Sequence, residues 1–192
     1  MSNYKIVAIV GKSGAGKDYI QRELVETYPD LFHSIVSYTT RPPREGEIDG
    51  INYHFVTENN FSRLIYENQM LEYTDFKDWH YGTSIQDLKL DKINIGVFNP
   101  KGVQSLINRP DVDVYVVQII AADKIRLKRS LNRENTPDCI EICRRFLADI
   151  EDFAYFSSDY IYINNNTIIN LEELEKMKDA ILTGLHDLVK TD

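Results

Sequence analysis

The feature that most constrains this chain is an apolar run that leads directly into a glycine-rich loop and then into a helical pattern. Residues 5–10, Lys-Ile-Val-Ala-Ile-Val, are typical of a buried strand, and Gly-Lys-Ser-Gly-Ala-Gly-Lys-Asp follows at 11–18. Ile20, Leu24 and Val25 then have helical spacing. In this setting, backbone N–H groups and a helix N-terminus cradle phosphate oxygens. The sequence therefore predicts a phosphate-binding loop in an α/β fold.

The last residue of this loop departs from the usual motif. We expect Lys17 to bind the β- and γ-phosphates of a nucleotide. The motif then normally has Ser or Thr, whose hydroxyl binds Mg²⁺, but this chain has Asp18. The residues predicted to bind nucleotide phosphate are Gly11, Ser13, Gly14, Ala15, Gly16, Lys17 and Asp18.

Composition and charge narrow the class of protein. The net charge of −8 argues against a general nucleic-acid or membrane-surface binder, so functional basic residues should be few and clustered. No apolar run approaches the ~20 residues of a membrane span, and the first residues lack a signal-peptide pattern. Two cysteines are too few for a zinc site. We therefore expect a cytoplasmic protein that acts on small molecules.

Strand and helix patterns alternate along most of the chain, which predicts a parallel sheet with helices on both faces. The predicted strands are 93–98, 112–120 and 160–163, and the predicted helices are 102–107, 124–131, 140–156 and 171–188. Two stretches break the alternation. Residues 37–86 indicate a small mixed insert, and the polar, basic stretch 126–145 indicates a mobile loop between two helices.

Two arginines three residues apart mark a candidate acceptor site. Arg41 and Arg44 enclose two prolines, which restrict the backbone between them, and Tyr53 follows with a hydroxyl donor. Fixed guanidinium groups suit a phosphate monoester. On its own this segment could equally be a solvated turn with surface arginines.

Several motifs occur together in one order and spacing: the glycine-rich loop at 11–18, the double-arginine stretch at 37–56, Glu72, and Trp-His-Tyr-Gly-Thr-Ser at 79–84. In these motifs the chain resembles guanylate kinase, the ATP-dependent kinase of GMP, over nearly its whole length. The resemblance implies a P-loop NTPase-type parallel sheet with a small mixed α+β NMP-binding insert and a helical lid. The implied division is core 1–36, GMP-binding insert 37–86, core 87–125, lid 126–145 and core 146–192.

The resemblance also implies roles for individual residues. Those matching the family's GMP ligands are Arg41, Arg44, Tyr53 and Tyr81 for the phosphate, and Ser37, Glu72 and Thr83 for guanine. A carboxylate such as Glu72 can accept hydrogen bonds from both N1–H and the exocyclic amino group of guanine. In the lid, Arg133 and either Arg144 or Arg145, with Arg145 preferred, match arginines that close over the transferred phosphoryl group. Asn164 matches a position near the adenine of ATP.

The chain departs from the family where the strand beginning at Ile93 ends. The family has two aspartates there, one near Mg²⁺ and one contacting guanine, whereas this chain has Val97 and Asn99. We hypothesise that Asp18 replaces the missing carboxylate as a Mg²⁺ ligand, because carboxylate oxygen suits Mg²⁺. Asn99 could still bind guanine through its amide.

The resemblance implies transfer of the γ-phosphoryl group of ATP to GMP or dGMP by a monomer or homodimer. Two alternatives stay open. One is a catalytically inactive, guanylate-kinase-like protein-binding module. The other is a ribose bisphosphate phosphokinase of the same superfamily, which shares Gly-Lys-Asp in the loop but lacks the double-arginine stretch.

Overall fold

The computed structural model describes residues 3–44, 46–76, 78–133, 135–166 and 168–190. The strands are β1 (Tyr4–Val10), β2 (Phe32–Ser34), β3 (Tyr38–Thr39), β4 (His54–Phe55), β5 (Met70–Phe76), β6 (Trp79–Ser84), β7 (Ile93–Val97), β8 (Val112–Ile120) and β9 (Tyr160–Ile163). The helices are α1 (Lys17–Thr27), α2 (Glu58–Tyr66), α3 (Pro100–Ile107), α4 (Asp123–Leu131), α5 (Cys139–Asp152) and α6 (Leu171–Lys190).

The central sheet has five strands in the order β2-β7-β1-β8-β9, and every pairing is parallel. β1 lies in the middle, with Ile9 opposite Val97 of β7 on one side and Val117 of β8 on the other. Parallel strands bring their carboxyl ends to one edge of the sheet, which is where α/β folds bind ligands. The glycine-rich loop leaves β1 at that edge.

Helices cover both faces of this sheet, and the alternation of side chains along β1 explains why. Val7 and Ile9 contribute to one buried cluster together with Leu24 of α1 and Met177 of α6. Ile6, Ala8 and Val10 point to the other face, and the cluster there includes Leu106 of α3. Because each face is apolar and covered, the predicted α/β class is confirmed.

A second, smaller sheet has the order β4-β3-β6-β5 and is built from residues 38–84. β3 pairs parallel with β4 and antiparallel with β6, and β5 and β6 form an antiparallel ladder that is irregular between Met70 and Glu72. α2 lies between β4 and β5 in the chain, and its Phe61 is buried. This mixed sheet carries the arginine and tyrosine residues singled out above.

Polar side chains fix the starts of the helices that border the site. Asn99 caps α3 by accepting from the Gly102 N–H at 2.7 Å, with Pro100 in the first turn. Asp138 caps α5 by accepting from the Glu141 N–H at 3.0 Å. No helix in the described ranges is long and apolar enough to cross a membrane.

The helices predicted at 124–131 and 140–156 are present as α4 and α5, so the mobile loop predicted over 126–145 was given bounds that are too wide. α4 continues to Leu131 and α5 already begins at Cys139, which leaves 132–138 as the connection. Salt bridges one turn apart stabilise the start of α5: Glu141 binds Arg144 at 2.8 Å and Arg145 at 2.9 Å. A polar composition therefore indicated a loop where charged pairs support a helix.

Candidate active site

The glycine-rich loop is closed upon itself, and its lysine is held against the main chain. Lys17 Nζ donates to the Gly11 carbonyl oxygen at 2.8 Å, and the Ala15 N–H donates to the Lys12 carbonyl oxygen at 3.1 Å. Burial lowers the pKa of Lys17, while the nearby Asp18 and Asp149 carboxylates raise it. A partly buried ammonium group that donates to a neutral carbonyl oxygen is well suited to bind an anion.

One flank of the loop is fastened by polar groups from α4 and from the segment after β9. The buried Asn164 side chain donates to the Ala15 carbonyl oxygen at 2.8 Å. Arg129 donates to the same oxygen at 3.2 Å and also to the main-chain oxygens of Asn164 and Asn166. Gly16 adopts a φ of 95°, and a Cβ there would lie 2.4 Å from the Asn164 amide nitrogen. Asn164, predicted to lie near the adenine of ATP, is thus in contact with the phosphate-binding loop.

The other flank is fastened by a buried ion pair between α4 and α5. Asp149 accepts from the Ser13 N–H at 2.8 Å and pairs with Arg126, which itself donates to the Ser13 carbonyl oxygen at 2.9 Å. Only 3% of the Arg126 side chain is exposed, and its guanidinium also lies over the Phe146 ring. Both helices next to the connection 132–138, α4 and α5, therefore contact the glycine-rich loop directly.

Arg44, in the segment after β3, lies close to Arg41 and to two arginines of the 126–145 stretch, Arg133 and Arg145. Burial lowers the pKa of Arg44, and the charges of Arg145, Arg41 and Arg133 lower it further. Two described carboxylates pair with this group: Glu47 binds Arg41 at 2.8 Å, and Glu141 binds Arg145 at 2.9 Å. The four guanidinium groups outnumber these two acids, so the cluster can attract phosphate.

Two tyrosines lie beside this cluster. The rings of Tyr53 and Tyr81 are 6.0 Å apart between centroids, and Arg41 lies over the Tyr53 ring at 5.5 Å. Burial raises the pKa of Tyr53 to about 12, and the Asp18 charge acts in the same direction. The Tyr53 hydroxyl therefore keeps its proton at neutral pH and can donate it to an anion.

Glu72, predicted to bind guanine, is buried on β5. Burial raises its pKa to about 7, against the opposing effect of the Thr83 hydroxyl and N–H. Within the described part of the chain, the buried Thr83 hydroxyl has no hydrogen-bond partner of good geometry. Gly102 of α3 approaches so closely that a Cβ there would lie 3.0 Å from a Glu72 oxygen. A buried acid beside a buried hydroxyl is suited to a polar planar ligand.

Asn99 lies near Glu72, but its side chain is already bonded. Its oxygen caps α3, and its amide nitrogen donates to the Thr74 hydroxyl at 2.9 Å. A guanine contact through Asn99 stays a prediction, and the second N–H of the amide or the second lone pair of its oxygen is left for it. Ser37, the other predicted base contact, accepts from the His54 N–H through its main-chain oxygen at 2.9 Å.

The predicted metal position can be tested against the donors that are present. Asp18 is exposed in the first turn of α1, and Val97 ends β7 opposite Ile9 of β1, at the sheet edge where the loop begins. No group of three or more His, Cys, Asp and Glu side chains among the residues described could hold a metal by itself. One carboxylate does fit Mg²⁺ that is bound mainly by nucleotide phosphates and water.

The structure separates the two candidate lid arginines of α5. Both bind Glu141, but Arg144 borders an open apolar cavity together with Cys139, Cys143 and Leu147. Arg145 instead contributes to the electrostatic surroundings of Arg44. These positions favour Arg145 as the arginine that faces the acceptor phosphate.

Sequence reasoning missed four residues that shape this site: Glu47, Arg126, Arg129 and Asp149. Asp149 had a detectable signal, since it lies one helical turn after the predicted lid arginine Arg145 in α5. Arg126 and Asp149 are 23 residues apart on facing helices, and no local spacing predicts such a pair. The arrangement as a whole offers a glycine-rich loop with a lysine, an arginine cluster and a buried carboxylate.

Comparison with known proteins assigns the family. The guanylate kinase family model matches residues 3–182. The chain is 34% identical over 180 residues to the guanylate kinase of Sulfurimonas denitrificans, covering 91% of this chain and 87% of that protein. It is 38% identical over 178 residues to MAGUK p55 subfamily member 4 of Mus musculus, covering 85% of this chain and 28% of that longer protein.

A solved structure supports the fold. The crystal structure of guanylate kinase from Anaplasma phagocytophilum aligns over 100% of this chain and 96% of its own, with a TM-score of 0.66 and 18% sequence identity. At that identity the structural likeness indicates the fold, while the family model and the sequence relatives indicate the kind of protein. The chain belongs to the guanylate kinase family, and the family is one of nucleoside monophosphate kinases.

Proposed function

We propose that this protein transfers the γ-phosphoryl group of ATP to GMP or dGMP, giving ADP and the nucleoside diphosphate. The proposal rests on the proximity of two groups of cationic side chains, one in the segment after β3 and one at the glycine-rich loop. Arg41 and Arg44 lie in the segment between β3 and β4 of the small sheet, and Lys17 lies at the end of the glycine-rich loop. The charge of Arg133 lowers the pKa of both Arg44 and Lys17. A donor phosphate on the loop and an acceptor phosphate on the arginines would thus share one electrostatic environment.

The chemistry requires positioning and neutralisation of charge. An oxygen of the GMP phosphate forms a bond to the γ-phosphorus of ATP as the bond from that phosphorus to the ADP oxygen breaks. Lys17 would stabilise charge on the donor, and Arg133 and Arg145 would stabilise charge on the transferred group. Arg41, Arg44, Tyr53 and Tyr81 would fix the acceptor phosphate, which makes the attack effectively intramolecular. Closure of the small sheet and the lid would exclude competing water.

Selection of the base would rest on Glu72. Its ionised carboxylate can accept from the two adjacent N–H groups of guanine, and the hydroxyls of Ser37 and Thr83 can donate to the guanine O6. Adenine has no N1–H and would leave the buried carboxylate partly unpaired. We therefore propose guanine nucleotides as preferred acceptors. The position of Asn164 beside the phosphate-binding loop is compatible with its proposed place near ATP.

We further propose that ATP acts with Mg²⁺ and that Asp18 is the carboxylate nearest the ion. When bound, Mg²⁺ would neutralise charge on the β- and γ-phosphates. Asp18 lies in the first turn of α1 beside Lys17, so it borders the predicted position of those phosphates. The cytoplasmic location and the monomeric or dimeric state remain predictions, and the latter can be measured by light scattering.

A panel of acceptors tests the proposal. The protein is incubated with ATP and Mg²⁺ together with GMP, dGMP, AMP, UMP, CMP or ribose bisphosphate, and ADP is measured. ADP formation with GMP or dGMP, well above that with the other acceptors, is the expected result. ADP with ribose bisphosphate alone would replace the proposed acceptor. No ADP with any acceptor would instead favour a protein-binding module.

A further inference from the structure

Glu47 is a buried carboxylate that contacts both arginines of the proposed acceptor site. Its side chain is 8% exposed, and its oxygens lie 2.8 and 3.0 Å from the same terminal nitrogen of Arg41. One of these oxygens also accepts from the Arg44 N–H at 2.8 Å, while the Glu47 N–H donates to the Arg44 carbonyl oxygen at 3.1 Å. One acid therefore holds an arginine side chain and the turn that carries the second arginine.

These contacts restrict how Arg41 can point. Its guanidinium is 4% exposed, with one terminal nitrogen on Glu47 and the other donating to the Pro42 carbonyl oxygen at 2.7 Å. A guanidinium has five N–H donors, so two fixed nitrogens define its plane and leave donors for a phosphate. Rigid support of a binding group lowers the entropy lost when ligand binds.

Glu47 also lies near Arg133, in the connection 132–138 between α4 and α5. A terminal nitrogen of Arg133 lies 3.8 Å from a Glu47 oxygen, and the Arg133 side chain is 54% exposed. Burial by itself raises the pKa of Glu47, but the Arg44 N–H and the Arg41 guanidinium outweigh that effect and lower it below its usual value. Glu47 is thus ionised at neutral pH, within a group of arginines from two parts of the chain.

We infer that Glu47 is a positioning residue for the acceptor-phosphate site: it orients Arg41 and the Arg44 turn, and through them determines affinity for the phosphate of the acceptor nucleotide. The inference rests on the proposed function, because it assigns Glu47 to the subsite that holds the GMP phosphate. It differs from a general structural role in one respect. Only ligands that carry the phosphate should respond to a change at Glu47.

The test compares GMP with guanosine, which has the base but no phosphate. Glu47→Gln keeps the size of the side chain and removes its charge. We expect about a tenfold loss of GMP affinity by calorimetry, as for a charge-assisted hydrogen bond, and less than about a twofold change for guanosine. Glu67→Gln is the matched control, since Glu67 is an exposed acid between α2 and β5 that binds Gln69, and it should change neither.

Two further variants keep the test decisive. In an Arg41→Lys background, Glu47→Gln should cause a smaller loss of GMP affinity than it does in the wild-type protein, because one of the two arginines that Glu47 positions has been replaced. If Glu47→Gln does not fold, Glu47→Asp replaces it, because the shorter acid keeps the charge but reaches Arg41 poorly and should cause the same GMP-specific loss.

Among the results in which Glu47→Gln changes GMP binding, three would overturn the inference: equal losses for GMP and guanosine, tighter GMP binding by Glu47→Gln, or fully additive losses with Arg41→Lys. The first would indicate a structural role, and the second a competitor of the phosphate. A wild-type protein that binds neither GMP nor guanosine would instead remove the proposed function. Normal wild-type GMP binding with an unchanged Glu47→Gln variant would remove the inference alone.

Discussion

The ammonium group of Lys17 donates a 2.8 Å hydrogen bond to the carbonyl oxygen of Gly11, six residues earlier in the same loop. This bond fixes the lysine at the edge of the sheet from which the loop leaves β1. The partner of this partly buried ammonium group is a neutral oxygen, so a nucleotide phosphate should be a better one.

Lys17→Ala should nearly abolish phosphoryl transfer without unfolding the protein. Its charge is predicted to serve the donor phosphates, and burial of an ammonium group is itself unfavourable. The kcat with ATP and GMP and the melting temperature without nucleotide would be measured. Lys12→Ala, a change at the second lysine of the same loop, is the control and should retain most activity. A Lys17→Ala variant with close to full kcat would disprove the loop assignment.

Glu72→Gln should weaken GMP binding far more than ATP binding. The change removes the ionised acceptor for guanine, and a charged hydrogen bond of this kind contributes about 1.5–3 kcal/mol. Because the pKa of Glu72 is about 7, wild-type affinity for GMP should also fall below pH 7, as the carboxylate takes up a proton. The GMP phosphate titrates near pH 6 as well, so the variant gives the baseline. A GMP KM that changes less than about threefold would exclude Glu72 as the guanine ligand.

The same residue should make the ligand-free protein less stable as pH rises. The pKa of Glu72 is raised in the folded state from 4.5 to about 7, so folding favours its protonated form, and stability decreases between these two values. Glu72→Gln removes this dependence. Denaturant unfolding should give equal stability near pH 4.5 and up to about 3 kcal/mol in favour of the variant near pH 8. A wild-type protein that gains relative stability over this range would contradict the expectation.

Asp149→Ala should destabilise the protein strongly, because it leaves the buried Arg126 without its buried partner. Removing one member of such a pair costs about 3–5 kcal/mol. Asp123 offers a matched control, since it pairs with the same guanidinium but is 83% exposed. Asp123→Ala should cost no more than about 1 kcal/mol. Equilibrium denaturation without nucleotide measures both, and similar losses for the two variants would contradict this account of the network.

Asp18→Ala should raise the Mg²⁺ concentration needed for half-maximal activity and weaken the Mg²⁺ dependence of ATP binding measured by calorimetry. Adding Val97→Asp should restore part of both, because it returns a carboxylate to the same edge of the sheet. The alternative is that Asp18 only favours the first turn of α1, which is worth about 0.3–1 kcal/mol. Under that alternative, thermal stability falls slightly and the Mg²⁺ dependence is unchanged.

Local patterns predicted much of the fold. β8 and β9 have the predicted bounds, and the apolar stripe of α6 is core, as Met177 and Ile181 are fully buried. The small sheet was harder to predict, since β3 and β4 have two residues each and depend on long-range pairing. The predicted site residues came from motifs. The buried Arg126–Asp149 pair and the contacts of Glu47 depend on how distant segments pack, which spacing along the chain does not reveal.

The close contacts that α4 and the segment after β9 make with the glycine-rich loop also determine which loop positions tolerate substitution. A methyl group on Gly14 would lie 2.5 Å from the Arg126 carbonyl oxygen, and one on Gly16 would lie 2.4 Å from the Asn164 amide nitrogen. Both glycines also have φ values in the left-handed region. An alanine at Gly14 would thus push against the backbone of α4, and one at Gly16 against the segment after β9. The loss of stability caused by a side chain in this short loop is therefore determined by segments more than a hundred residues away in the chain.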